Sequence, residues 1–184
     1  MILIGGLALL LGARTYAAAW IGFVVLGRDP AGKHWLPLHL LVVAGSIGIA
    51  AGLPALHARQ EPQAGAIGLA ATGMLFAGIL LAGVARQSVE AFTLRVMPRV
   101  PPGADLLVRV AGPLLFAGTV VLGIVTVVAG VFPPWTGAAL VAVAIAGAIA
   151  AYAGLPGRFS YANAAAMGMI LAYLGILVVL GGRA

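Results

Sequence analysis

Few side chains in this sequence are of a type that does chemistry, and most of those sit in apolar surroundings. The chain has 184 residues with ten Lys/Arg, four Asp/Glu, three His and no Cys. Arg14 is the sharpest signal, because it stands midway along the otherwise apolar run from Met1 to Gly27. An arginine at the centre of a membrane helix costs at least about 2.5–3.5 kcal/mol, and such charges usually face a bundle interior or a water-filled cavity. Arg14 is therefore either a contact for a ligand or partner, or a structural group satisfied by carbonyls, hydroxyls or water. The available hydroxyls are Ser46, Thr72 and Thr119. The expectation is that Arg14 faces the bundle. His39 and His57 offer imidazoles that can ligate haem or a metal, or can serve as interfacial hydrogen-bonding groups. They lie 18 residues apart, about 27 Å along a helix, so they cannot share one site. The third histidine is His34, so paired histidine ligation is open only to His34 with His39. Met74, Met97, Met167 and Met169 are the other axial ligands in principle. Arg86 and Glu90 stand four apart and share a helix face, where they can pair, or Glu90 can reach a charge on another helix.

Motifs for enzymatic chemistry are missing. The sequence contains no His-Glu-x-x-His, no glycine-rich phosphate loop ending in Lys-Ser/Thr and no Gly-x-Ser-x-Gly. No catalytic set and no metal site is expected. No cofactor is required, and haem is the group that His39 or His57 would hold.

The elements that must position these residues follow from composition. The chain is 63% hydrophobic and 8% charged, whereas a soluble domain carries about 25% charge. Lipid is the natural solvent for such a surface. The net charge of +6 is distributed over the connections, which fits a positive-inside bias and not a nucleic-acid footprint. Without cysteine there is no disulfide and no thiolate metal site. The first apolar run lacks a basic leader region and an Ala-x-Ala exit, so it is expected to be retained.

Spans of about 20 apolar residues, separated by Pro, Gly and charged stretches, predict one all-α transmembrane domain over 1–184. It is a polytopic helical bundle of about six spans: 2–27, 36–56, 64–86 with an extension to 97, 110–131, 136–155 and 160–180. The stretch Gln60-Glu61-Pro62-Gln63 is expected to be a tight turn. A helix from Ala64 to Met97 would run about 50 Å against a core of about 30 Å. Its last third, with Arg86, Glu90 and Arg95, is expected to emerge from the bilayer. Trp35 and Trp135 open spans, where interfacial aromatic anchors belong. Gly48 with Gly52, Gly123 with Gly130, and Gly168 with Gly175 mark helix faces that backbones can approach closely. Trp35 followed by Gly52-Leu53-Pro54 is echoed by Trp135 followed by Gly154-Leu155-Pro156. That echo suits either inverted halves, as in transporters, or ordinary span-end chemistry.

Three segments carry a family resemblance. They are Trp35-Leu36-Pro37-Leu38-His39, Leu53-Pro54-Ala55-Leu56-His57-Ala58-Arg59-Gln60, and Val89-Glu90-Ala91-Phe92 with the following Pro98. Together they resemble a family of small, uncharacterised bacterial multi-helix membrane proteins frequent in high-GC genomes such as actinobacteria and Chloroflexota. Gly130-Val131-Phe132-Pro133-Pro134-Trp135-Thr136-Gly137 is similar to the turn before that family's fifth helix. The chain departs from the family at Gln87 and Ser88, where members often have an aromatic. The resemblance implies the fold and a bacterial cell membrane, and implies no activity.

Three functions are open. The first is a non-catalytic accessory or structural subunit of a larger membrane complex, respiratory or photosynthetic. The second is a small transporter or lipophilic-ligand binder using Arg14. The third is a haem- or quinone-associated redox protein using His39 or His57. Expected partners are the lipid bilayer and other integral membrane subunits, with no nucleic acid. Connections one, three and five carry Arg28, Lys33, Arg95, Arg99 and Arg158, with Arg86 and Arg109 at flanking span ends. The other side carries Arg59 and Arg183. The positive-inside rule then puts both termini outside.

Overall fold

In a bilayer core every backbone N–H and C=O must be satisfied within the chain, so an apolar sequence of this kind folds as helices. The computed structural model describes residues 1–94 and 102–181. Helix α1 spans Ile2–Leu26 and α2 spans Trp35–Ile79. A π-helical stretch, Leu80–Arg86, then leads directly into α3, Gln87–Thr93. Helices α4 (Pro102–Ala129), α5 (Pro134–Tyr152) and α6 (Gly157–Leu180) complete the set, with no strand among the described residues.

Five continuous helical runs are long and apolar enough to cross a membrane, and the second of them, Trp35–Thr93, has 59 residues. A straight helix of that length would measure about 88 Å, almost three times the hydrocarbon core of about 30 Å. The run is not straight. Gly65 adopts φ 52°, ψ −146°, a conformation that only glycine enters without strain, and the chain folds back on itself there. Contacts between the two legs prove the reversal. Trp35 Nε1 donates to the Ala91 carbonyl at 3.3 Å, and the His39 ring meets Gln87. A methyl group placed at Gly68 would come within 3.5 Å of His57 Nδ1. The described residues therefore make six passes through the bundle, with 35–64 and 66–93 as an antiparallel pair.

The reversal lies two residues beyond the polar Gln60–Gln63 stretch that was expected to turn. That stretch stays helical. Pro62 has a helix-compatible φ by construction, and the Gln60 amide donates to Thr126 Oγ1 on α4 at 2.9 Å, which ties this turn to the bundle. The expected extension to 97 is helical over Gln87–Thr93, as α3, and its last residues, Arg95 to Met97, lie outside the described residues.

Small residues decide which faces meet. Gly45, Gly48 and Gly52 press against Tyr16, Gly12 and Leu9 of α1. Gly168 and Gly175 of α6 press against Ala17 and Leu10 on the opposite flank of α1. Gly78 of the second leg faces Leu115 of α4, and Gly123 of α4 faces Gly137 of α5. Helices α5 and α6 also touch. The passes thus follow one another around a ring in chain order, with α6 returning to α1. Leu9, Ile49, Leu53, Leu56, Leu75, Leu122, Leu140, Leu171 and Leu174 fill the interior.

The sequence echo is not a structural equivalence. Gly52-Leu53-Pro54 lies inside the first leg of α2, whereas Gly154-Leu155-Pro156 links α5 to α6. Trp35 is 2% exposed and Trp135 is 53% exposed.

Candidate functional site

One end of the bundle gathers the loop between α1 and α2, the π-helical stretch, α3 and the start of α6. We call it the loop end; Gly65 marks the other, fold-back end. The π-helical stretch has a widened turn, a feature that often accompanies functional sites. It lets the helix carry Ala82, Gly83 and Arg86 along one wall of a cavity of about 370 Å³. Tyr16 and Trp20 of α1, Arg28, Gln87, Ser160 and Tyr161 form the other walls.

At the centre of the charge pattern is Glu90, buried at 3% exposure. Arg86, one turn earlier, donates through Nε to Glu90 Oε1 at 3.0 Å. Arg28, 62 residues away in sequence, pairs with the other carboxylate oxygen. Two guanidinium groups thus share one carboxylate, and the site keeps an excess of one positive charge. Arg28 also lies over the Trp35 and Tyr161 rings, 5.4 and 5.9 Å from their centroids, where the ring quadrupole favours a cation. Trp20 stacks on Tyr161 at 5.4 Å. Both arginines keep part of their surface open, with side chains 26% and 33% exposed.

Beneath this cluster lies His39, with no exposed surface. Its Nδ1 is 2.7 Å from Gln87 Oε1. An amide oxygen only accepts, so Nδ1 carries the proton and donates. The ring packs edge-on against Trp35 and Phe23, at 4.1 and 5.0 Å between centroids, and Nε2 has no partner among the described residues. His39 does not line the cavity. A haem on its Nε2 would have to displace the surrounding aromatic rings.

The remaining sequence candidates are dispersed. His57 is half-buried near the fold-back end, far from His39, as the spacing required. His34 is exposed in the first loop. Among the described residues, no three His, Asp or Glu side chains converge as metal ligands would. Arg86 and Glu90 do come together, and the second charge that Glu90 reaches, Arg28, comes from the loop after α1 and not from another helix. Trp135 is exposed at the start of α5 against Tyr173, at 4.9 Å between centroids. Trp35, expected as an interfacial anchor, instead stands inside the bundle. Its position on the α2 face that meets Phe23 and Ala91 puts its apolar ring in the core and its N–H on a carbonyl.

Arg14 departs furthest from expectation. It is exposed on the outer face of α1 and makes no hydrogen bond or ion pair with a described residue. The three hydroxyls that were to serve it, Ser46, Thr72 and Thr119, are buried elsewhere in the bundle. The inward stripe of α1 consists of Gly6, Leu9, Gly12, Ala13, Ala17, Ala19 and Phe23, and Arg14 lies off that stripe.

Sequence reasoning missed Arg28, Gln87, Trp20 and Tyr161 as site residues. Arg28 was only a loop charge, and Gln87 only a departure from the family pattern. One signal was available: a carboxylate next to a membrane span calls for cations around it, and Arg28 opens the loop on the same side as Glu90. No protein-family model, curated protein or solved structure matches the chain.

Proposed function

We propose that this protein is a non-catalytic membrane protein that binds an amphiphile with an anionic headgroup in the loop-end cavity. The observation that carries this reading is that Arg28 and Arg86, which both line a cavity, pair with a single buried carboxylate, Glu90. Glu90 cancels one of the two charges and orients both guanidinium groups. The charge left over attracts an anion, and guanidinium groups suit carboxylate or phosphate oxygens. The Ser160 and Tyr161 hydroxyls add neutral donors, and the Trp20 and Tyr16 rings supply apolar wall for a chain. The lipophilic-ligand alternative thus moves from Arg14 to Arg28 and Arg86.

The loop end bears Arg28, Lys33, Arg86, Arg109 and Arg158 among the described residues, whereas the fold-back end bears Arg59. We place the loop end on the cytoplasmic side of a bacterial cell membrane by the positive-inside rule. The cavity would then face the leaflet and compartment where anionic headgroups meet basic protein surfaces.

The test is binding of dodecyl phosphate to the purified protein, followed by tryptophan fluorescence. Trp20 on the cavity wall is the reporter. Arg86→Gln leaves Arg28 on Glu90 and removes the excess charge. Affinity for dodecyl phosphate is expected to fall about tenfold, the size of one charge-assisted hydrogen bond, with affinity for neutral dodecyl maltoside unchanged. Equal binding of the two amphiphiles by the unaltered protein would overturn the reading.

A second reading, as an accessory subunit of a larger membrane complex, is favoured by one separate observation: the outward-facing Arg14 in the middle of α1.

A further inference from the structure

Arg14 sits at the midpoint of α1, about 18 Å from either end by helical rise. The half-thickness of a hydrocarbon core is about 15 Å. Its neighbours on the exposed face are Leu7, Leu11, Ala18, Ile21 and Val25, all apolar. These positions alternate by four and three residues, the spacing of a helix seam that another helix can occupy. A single polar group at one seam position fixes register and partner choice. In lipid alone, this guanidinium would be among the costliest groups on the surface.

We propose that the outer face of α1 is a docking site for a transmembrane helix of another protein, one that carries a carboxylate at mid-membrane depth. This inference rests on the accessory-subunit reading and is independent of the loop-end cavity. Charge complementarity selects the occupant. A second copy of this chain does not supply the acid. Its four side-chain carboxylates are Asp29 in the first loop, Glu61 near the fold-back, Glu90 held by two arginines, and Asp105 in the first turn of α4. None lies at mid-depth, and a symmetric pairing of α1 faces would set Arg14 against Arg14. The partner is therefore a different chain with an intramembrane Asp or Glu. Pairing there satisfies two groups that are each costly in hydrocarbon, which makes the contact selective for that partner.

The test uses the full-length protein in vesicles of neutral phosphatidylcholine. The probe is a membrane-spanning polyleucine peptide with glutamate at its centre. Companion peptides carry leucine at the centre, or glutamate two turns away from it. The chain has no cysteine, so Glu61→Cys gives a unique dye position for energy transfer to a labelled peptide. The central-Glu peptide is expected to associate at least about tenfold more tightly than either companion, as close charge pairs do across interfaces. Arg14→Leu should erase that difference, and Arg14→Lys should keep part of it. An unchanged helical circular-dichroism spectrum and thermal midpoint in Arg14→Leu establish that the bundle is intact. Equal association of all three peptides, or a preference that survives Arg14→Leu, would overturn the inference, as would Arg14-dependent energy transfer between copies of the protein. Should the peptides fail while a stoichiometric partner persists in mild detergent with Arg14→Leu, the accessory reading stands and this docking site does not. Absence of such a partner would remove both.

Discussion

Glu90 is the residue on which the loop-end cavity turns, because one buried carboxylate holds two arginines from distant parts of the chain. Removing one partner of a fully buried ion pair costs about 3–5 kcal/mol. Here both guanidinium groups reach solvent, which screens them, so Glu90→Gln is expected to cost only about 2 kcal/mol. The same substitution leaves both arginines free for an external anion. Dodecyl phosphate should therefore bind more tightly to a protein that melts earlier, and calorimetry with and without the amphiphile checks both signs. A fall in stability with no gain in affinity would separate the ion pair from the cavity. His39 and Gln87 form a simpler pair. Gln87→Leu strands the His39 N–H in the core at about 1–3 kcal/mol, whereas joining it with His39→Phe should recover most of that loss. Denaturation midpoints of the two single variants and the double variant test this. The Arg86–Glu90 pair was legible in the sequence because four residues make one helical turn. For Arg28 the sequence offers only the shared side of the bundle, because no local rule links residues 62 apart.

At the scale of elements, the spacing of small residues locates the interior, and hydropathy does not. Every face of these helices is apolar, so an apolar stripe cannot point inward as it does in a soluble helix. This is why Arg14 was placed on the wrong face: its charge was weighed, but the Gly12, Ala13 and Ala17 stripe beside it was not. The same argument ranks the glycines. A methyl group at Gly12 would lie 2.5 Å from the Gly48 carbonyl carbon, backbone against backbone, with no side chain to rotate away. Gly12→Ala is expected to cost about 1–3 kcal/mol by forcing α1 and α2 apart. At Gly73, exposed on the second leg of α2, nothing lies within 4 Å of such a methyl group. Gly73→Ala should stabilise by about 0.5–1 kcal/mol through the helix preference of alanine. Opposite shifts in the midpoint of unfolding in detergent check the pair.

For the whole molecule, about six passes follow from span length and from the Pro, Gly and charged breaks between spans, because bilayer thickness limits how long any straight helix can be. The place of reversal was less legible. Polar Gln60–Gln63 looked like the turn, but a glutamine and a proline are both accommodated in a helix end packed on α4, and the conformation that reverses the chain belongs to Gly65. This architecture fixes which residues share an end of the bundle. Lys33 and Arg158 lie at the loop end, and Glu61 lies at the fold-back end. Single cysteines in this cysteine-free chain can report each position through a membrane-impermeant maleimide. Lys33→Cys and Arg158→Cys should behave alike, and Glu61→Cys should behave oppositely. If the basic loop end lies in the cytoplasm, as proposed, Glu61→Cys is expected to react in intact cells, and the other two only after permeabilisation. Reaction of all three on one side would contradict the fold-back at Gly65. The reverse pattern would keep the six-pass bundle but turn it over, placing the loop-end cavity and its two arginines on the outer side of the membrane.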